Sequence, residues 1–429
     1  MNGKWVFVIK RTKLKRNNRC RRRRFTEKNS NPQLYLPHEL IIQILLRLPV
    51  KSLISFKCVC KSWFSLISDP HFANSHFQIT AATPTRRILF TFTETRSVDS
   101  EASFDFDDSA PLNLDFLCPL FYSKLKIKGS CRGFILFHYY SNIYLWNPST
   151  GVHKEIPLPR FGFDLYEVEH FHGFGYDEST DDYLLVSLSY DQIPYSDDML
   201  SHLEIFSLRA NAWEEIVGTT HLPHYREVSS SYDTVVESKF NGYPIVELNF
   251  NGAIHWMAFR YDLRVYVIVA FHLAEKKLLE IRLPVENDYD DRDCDLWVFK
   301  GFLSLWVLGN NTVDIWVMKE YNVQLSWTKI LVLPIDTDRY ISPICCTKRG
   351  DIIGTNGHTG LVKYNDKGEF IDYNSYGKDG RVFRLAVYTA SLLSLPSANE
   401  QAQEDDTIKK NEGLNSSRKR VYIEKHWCK

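Results

Sequence analysis

The spacing of apolar residues changes once along this 429-residue chain. From Leu36 to Ile67 they recur at helical intervals. From about residue 80 they come in short runs of β-branched and aromatic residues, broken by Gly, Asn-Pro and Asp pairs. The first stretch, Leu36-Pro37-His38-Glu39-Leu40-Ile41-Ile42-Gln43-Ile44-Leu45-Leu46-Arg47-Leu48-Pro49, has a proline that a first helical turn tolerates and ends on one that stops a helix. Seven of the nine positions from Leu40 to Leu48 are apolar. That is more than one buried stripe requires, so both faces of this helix need cover. Apolar residues at 53, 56, 59, 60, 63 and 67 continue the helical spacing, with Ser52 placed to cap the second helix, and three short helices are predicted. A unit this small cannot bury so much Leu, Ile, Phe and Trp alone. The excess apolar face packs on the rest of the chain or on a partner.

Downstream, one kind of run recurs. Arg132-Gly133-Phe134-Ile135-Leu136-Phe137, Asp181-Asp182-Tyr183-Leu184-Leu185-Val186, Asn251-Gly252-Ala253-Ile254-His255-Trp256, Lys300-Gly301-Phe302-Leu303-Ser304-Leu305 and Arg349-Gly350-Asp351-Ile352-Ile353 align on their second residues at 133, 182, 252, 301 and 350. The intervals are 49, 70, 49 and 49, a steady period with one insertion of 21. A second run follows each, as in Ile143-Tyr144-Leu145-Trp146, and then a short third, as in Lys154-Glu155-Ile156. Each repeat thus shows three strands, with a fourth expected in its variable part. That period and strand count predict the blades of a β-propeller. Arg87 to Phe92 near the start, with Leu385 to Tyr388 and Leu392 to Leu395 near the end, would close the ring as a sixth blade. The expected fold is therefore a small all-α segment followed by an all-β repeat domain of about six blades. Insertions in such repeats emerge as loops on one face. Residues 95–120, 160–172, 189–202, 219–249 and 286–296 are the candidates for ligand contact. Two of them hold acidic runs, Asp105-Phe106-Asp107-Asp108 and Asp288-Tyr289-Asp290-Asp291-Arg292-Asp293, suited to a basic target segment or to plain solvation.

Composition agrees with a folded β-rich chain: 44% hydrophobic, with 27 Phe, 23 Tyr and 10 Trp against 4 Met. The net charge is zero but uneven. Residues 1–30 hold twelve Lys/Arg against Glu27 alone, and the stretch from Thr407 holds seven against Glu412 and Glu424. The body between is acidic, which argues against nucleic acid as the ligand of the folded part. Arg21 to Arg24 and Arg418-Lys419-Arg420 suit nuclear import or nucleic-acid contact, or simply solvated tails. The nine cysteines match neither a zinc pattern nor a redox CxxC, and predict free thiols in a reducing compartment. The apolar start Trp5-Val6-Phe7-Val8-Ile9 is shorter than a signal-peptide core, so cytoplasm or nucleus is expected, without membrane contact.

Catalytic motifs are missing: there is no G-x-S-x-G, H-E-x-x-H, Walker A or strand-to-helix G-x-G-x-x-G. Glu167-Val168-Glu169-His170-Phe171-His172 is the nearest approach to a metal set, and surface loops collect such residues without purpose. Gly354-Thr355-Asn356-Gly357-His358-Thr359-Gly360 has the glycines of a phosphate nest, but strand-like flanks make it a hairpin loop. No catalytic residue, metal or cofactor is assigned.

The stretch Leu36-Pro37-x-Glu39-Leu40-Ile41-x-x-Ile44-Leu45-x-Arg47-Leu48-Pro49-Val50-Lys51-Ser52-Leu53-x-x-Phe56-Lys57-x-Val59-Cys60-Lys61-Ser62-Trp63, continued by Asp69-Pro70-x-Phe72, resembles the F-box. That motif docks a substrate receptor on the Skp-type adaptor of an SCF-type ubiquitin ligase. The phrases Leu145-Trp146-Asn147-Pro148-Ser149-Thr150-Gly151 and Gly173-Phe174-Gly175-Tyr176-Asp177 resemble the F-box-associated domain of a large plant family. The resemblance implies that Leu36, Pro37, Leu40, Ile44, Leu45, Leu48, Pro49 and Val50 form the main adaptor-facing surface. Leu53, Phe56, Val59, Cys60 and Trp63 would complete the helical packing and part of the contact. The resemblance implies an F-box at 31–78 and a propeller at 80–396; the charge pattern adds a basic disordered arm at 1–30, which the resemblance does not explain, and a charged disordered tail at 397–429. The implied partners are the adaptor and, through it, cullin and RING subunits, together with a target protein on the propeller. The chain would be a non-catalytic receptor. The competing reading is a β-propeller enzyme or lectin-like small-molecule binder, which would bind its ligand without any adaptor.

Overall fold

The computed structural model describes residues 36–81, 86–91, 95–101, 110–112, 114, 116–117, 125–139, 141–161, 170–192, 199–219, 222–227, 248–284, 294–309, 311–334, 341–355, 360–375 and 384–396. The basic arm, the charged tail and both acidic runs lie outside these residues. Two compact units are distinguished, residues 1–44 and 45–429.

Within the first, helix α1 (His38–Leu45) starts as its prolines predict, with the Pro37 carbonyl accepting the N–H groups of Leu40 and Ile41 at 3.1 and 3.2 Å. The second unit opens with helices α2 (Val50–Phe56), α3 (Lys61–Ser68) and α4 (Pro70–Thr80). Ser52 does not cap α2. The helix begins earlier, with Pro49 at the N-cap, and the Ser52 N–H is already inside, donating to the Pro49 carbonyl at 2.9 Å. Cys60 caps α3, its sulfur accepting the Trp63 N–H at 3.5 Å. Helix α4 is a fourth helix beyond the three expected. Asp69 caps it, accepting the Phe72 N–H at 3.1 Å, and Pro70 occupies the first turn, where its missing N–H costs nothing. On its buried face, His76 Nε2 donates to the Leu48 carbonyl at 2.9 Å and pins α4 to the loop before α2.

The remainder is a six-bladed propeller of antiparallel sheets. The first blade begins with strands β1 (Arg86–Thr91), β2 (Thr95–Asp99) and β3 (Ala110–Leu112). The second is β4 (Leu125–Cys131), β5 (Phe134–Tyr139), β6 (Asn142–Trp146) and β7 (His153–Ile156). The third is β8 (His170–Asp177), β9 (Asp182–Gln192), β10 (Met199–Ser207) and β11 (Ala212–Glu215). The fourth has β12 (Tyr225–Glu227), β13 (Leu248–Phe250), β14 (Ala253–Arg260), β15 (Val265–His272) and β16 (Lys277–Arg282). The fifth is β17 (Cys294–Phe299), β18 (Phe302–Leu308), β19 (Thr312–Met318) and β20 (Trp327–Pro334). The sixth is β21 (Ser342–Cys346), β22 (Ile352–Thr355), β23 (Gly360–Tyr364) and β24 (Phe370–Ser375). The last strand, β25 (Arg384–Thr389), pairs with β1 from Arg86↔Thr389 to Thr91↔Arg384 and closes the ring within the first blade.

The repeated dipeptides sit in the hairpin between the first and second strands of the second to sixth blades, counting β12 and β13 as one divided first strand. Arg132-Gly133, Asn251-Gly252 and Lys300-Gly301 have positive φ at both positions, as two-residue hairpins with type I′ turns require. The fourth strand of each repeat therefore precedes this dipeptide and lies innermost. In the fourth blade the inner strand is divided: β13 pairs with Ala253 to His255 and β12 with Ala258 to Arg260, and the insertion of the long repeat falls between them. Buried side chains fill the spaces between neighbouring blades, as where Phe171, Val186 and Leu188 of the third meet Ile254, Trp256 and Val269 of the fourth. The glycines of Gly173-Phe174-Gly175 follow from this close approach. A Cβ on Gly173 would lie 2.5 Å from the Trp256 ring, and one on Gly175 2.6 Å from Leu273.

Candidate docking surfaces

In the first unit, Leu40 and Ile44 lie on one side of α1 at a spacing of four, and Leu36 precedes the helix by two residues. Leu36, Leu40 and Ile44 are 45%, 50% and 51% exposed, and Pro37 beside them is exposed. In the second unit the residues assigned to the adaptor divide. Leu45, Val50 and Leu53 are buried at 1%, 6% and 0%, so they pack the helices and present nothing to a partner. Leu48, Phe56 and Trp63 are half-buried, with the Phe56 and Trp63 rings 5.5 Å apart. Pro49, Val59 and Cys60 are exposed. Sequence reasoning missed Phe64 on α3 and Ile79 on α4, both exposed. For Phe64 the signal was present: adjacent aromatics on a helix lie about 100° apart, so one face cannot take both Trp63 and Phe64.

The motif Glu167 to His172 falls largely outside the described residues. Glu167, Glu169 and the His170 side chain lie outside the described residues, while the His172 ring is buried against that of His138 at 4.6 Å. Among the described residues no three His, Cys, Asp or Glu come together as a metal site, and no helix is long and apolar enough to cross a membrane. Of the Gly354 to Gly360 segment, 356–359 lie outside the described residues, and the flanking β22 and β23 pair as a hairpin. Burial pushes the thiols of Cys131 and Cys345 up to about 12 and that of Cys346 to about 11, so none is a nucleophile at neutral pH.

Residues 34–74 match the F-box domain, and residues 80–373 match the F-box associated beta propeller domain. The chain belongs to the F-box proteins that carry this propeller. An F-box/kelch-repeat protein of Arabidopsis thaliana is 30% identical over 349 residues, covering 77% of this chain and 87% of the relative. The F-box protein CPR1 of the same organism is 28% identical over 341 residues, covering 73% of this chain and 77% of the relative. Among solved structures, TolB from Acinetobacter baumannii is similar at a TM-score of 0.39 and 12% identity, covering 75% of this chain and 72% of that one.

In this F-box protein, α4 meets the propeller at a repeat hairpin. The Arg132 guanidinium lies 4.9 Å from the centre of the Phe77 ring of α4 and 3.6 Å from that of Tyr176 on β8. Strands alternate in direction within a blade, so the connections β7–β8, β9–β10, β11–β12 and β16–β17 all leave the ring at the end opposite these hairpins. Four of the five insertions proposed for target contact, 160–172, 189–202, 219–249 and 286–296, begin from those strand ends. The fifth, 95–120, is shared between the two ends.

Proposed function

We propose that this protein is the substrate-recognition subunit of an SCF-type ubiquitin ligase. Its F-box docks a Skp-type adaptor and, through it, cullin and RING subunits, while the propeller binds the target protein at the end away from α4. The chain contributes no chemistry of its own. It raises the effective concentration of target lysines at a conjugating enzyme held elsewhere in the assembly.

The observation that carries this reading is the row Leu36, Leu40 and Ile44, large aliphatic side chains left half in water. Covering the remaining half of each contributes about 1 kcal/mol, which suits a partner groove and has no use on a solvated helix. Pro37 extends this row in the first unit, and in the second unit Leu48, Pro49, Val59 and Phe64 are the exposed or half-exposed apolar residues offered to the adaptor. Leu45, Val50 and Leu53 hold the helices together beneath. Phe56 and Trp63 belong to both layers, and Cys60 acts mainly as the cap of α3.

The test is a calorimetric titration of the full chain with a Skp-type adaptor, beside Leu40→Asp and Ile44→Asp. Both positions are exposed, so the fold tolerates the change, and circular dichroism verifies it. A carboxylate buried in an apolar groove costs roughly 3 kcal/mol or more, at least a hundredfold in Kd. Absence of binding by the parent, or unchanged binding by both variants, would refute the docking role.

A further inference from the structure

The inner strands β4, β13, β17, β21 and β25 surround a cavity of about 200 Å³ at the centre of the propeller. Its walls carry polar groups without partners. Trp297 and Ser342 line it at 2% and 1% exposure, and neither the indole N–H nor the hydroxyl has a hydrogen bond among the described residues. Arg132 Nε, in the turn after β4 on another side of the lining, is likewise buried and unpaired among the described residues. Among the described residues, the Asp295 carboxylate accepts only the N–H of its neighbour Leu296, at 2.7 Å. Buried polar groups in folded proteins nearly always find partners. Several orphans around one cavity point to an occupant that supplies the missing partners.

The charges around the cavity say which occupant. Arg86 and Arg132 line it at the hairpin end, where Arg86 pairs with the last residue of β25 and Arg132 forms the turn after β4. Asp295 is the second residue of β17, whose strand runs toward that end, so four residues of extended chain, roughly 13 Å, separate it from the turn. The Arg132 guanidinium is already stacked on aromatic rings, whereas among the described residues no cation pairs with the carboxylate. The other titratable groups on the lining are Cys345 and Tyr388. The Cys345 thiol is held protonated by burial, and the Tyr388 hydroxyl is bonded to Ser97 at 2.9 Å.

We propose that this cavity is a binding site for a small organic amine, whose ammonium pairs with Asp295 and Ser342 and whose own acceptor group takes the Trp297 N–H. The indoles of Trp297 and Trp306 supply a flat apolar wall for its body, and aromatic faces favour a neighbouring cation. A half-buried carboxylate facing a cavity costs least when paired, and the amine provides the pair.

The test is calorimetric titration of the full chain with tyramine, phenylalaninol and agmatine at pH 6 and pH 8, a range over which alkyl amines stay protonated. Burial raises the Asp295 carboxyl to about 7, so it is mostly neutral at pH 6 and mostly charged at pH 8. Saturable binding is expected for at least one probe, about tenfold tighter at pH 8. Asp295→Asn, nearly the same shape, should lose at least tenfold and all of the pH dependence, and Ser342→Ala should weaken binding with its pH dependence intact. No saturable binding of any probe to the parent at either pH, or equal binding by Asp295→Asn, would overturn the proposal. Adaptor titration of the same variants stays at the parent value in either case, so the result is separable from the docking role.

Discussion

The phrase Leu145-Trp146-Asn147-Pro148 marks the family in sequence, and its asparagine has a physical task that can be measured. Asn147 is wholly buried in the turn after β6. Its Nδ2 donates to the Ser391 carbonyl at 3.2 Å, the Ser391 hydroxyl at 3.2 Å and the Leu393 carbonyl at 3.1 Å, gripping the chain just after the closing strand β25. Its Oδ1 accepts the Ser149 N–H at 2.9 Å and shapes the turn. Two amide hydrogens shared among these acceptors amount to about two hydrogen bonds, worth about 1 kcal/mol each. Removing them also strands two buried carbonyls at roughly 1 kcal/mol or more apiece. Asn147→Ala should therefore cost about 4 kcal/mol. The molecule holds its own control. Asn365, in the corresponding turn of the sixth blade, accepts the Lys367 and Glu369 N–H groups at 3.0 and 2.8 Å and is not fully buried. Asn365→Ala should lose only the turn bonds, about 1 kcal/mol. Urea unfolding of both variants, compared at unchanged m-value, separates the latch from the turn. If Asn147→Ala falls within 1 kcal/mol of Asn365→Ala, the amide does not latch the ring.

Two further outcomes are expected. Gly133 has φ +90°, and a Cβ there would collide with the Ser391 side chain and come within 2.8 Å of the Thr389 carbonyl oxygen, whereas Gly301 at φ +85° faces open space. Gly133→Ala should cost roughly 3 kcal/mol in urea unfolding and Gly301→Ala only about 1, and equal losses would show that strain alone acts. Asp295 binds its proton more tightly folded than unfolded, so its contribution to stability is fully present below about pH 4 and is lost as pH rises through about 7. The loss amounts to at most roughly 4 kcal/mol, and thermal unfolding from pH 4 to 8 should slope less in Asp295→Asn than in the parent; identical slopes would place the effect elsewhere.

The blade period was legible because its marker is a turn with a strict backbone requirement. Positive φ at Arg132-Gly133, Asn251-Gly252 and Lys300-Gly301 admits few residue types, so the same dipeptide returns at the same interval. The inner strands were illegible for the opposite reason. Leu125-Lys126-Ile127-Lys128-Gly129-Ser130-Cys131 mixes charge and glycine, and Ser342-Pro343-Ile344-Cys345-Cys346 contains a proline beside a bulge, because strands lining a central cavity need no continuous apolar face. Helix α4 was hidden by its polar residues, although Asp69-Pro70 is a helix start in plain view. In the F-box the pattern could not separate Leu40 and Ile44, exposed, from Leu45 and Leu53, buried. All four are apolar, and spacing gives the faces of a helix without saying which one is covered.

The ring's topology links the two docking roles. The chain enters the propeller as the second strand of its blade and supplies the first, β25, only at the end. Entry and closure therefore fall at the hairpin end, where Arg132 stacks on Phe77 of α4 and, one residue on, Gly133 packs against Ser391. Among the described residues, the fastening to α4 lies at the hairpin end, whereas four of the five insertions begin at the opposite end. A weakened closure loosens the end to which α4 is fastened. Loss of the latch in Asn147→Ala should then disturb contacts at Arg132 before it disturbs the far loops, which hydrogen exchange can resolve in order.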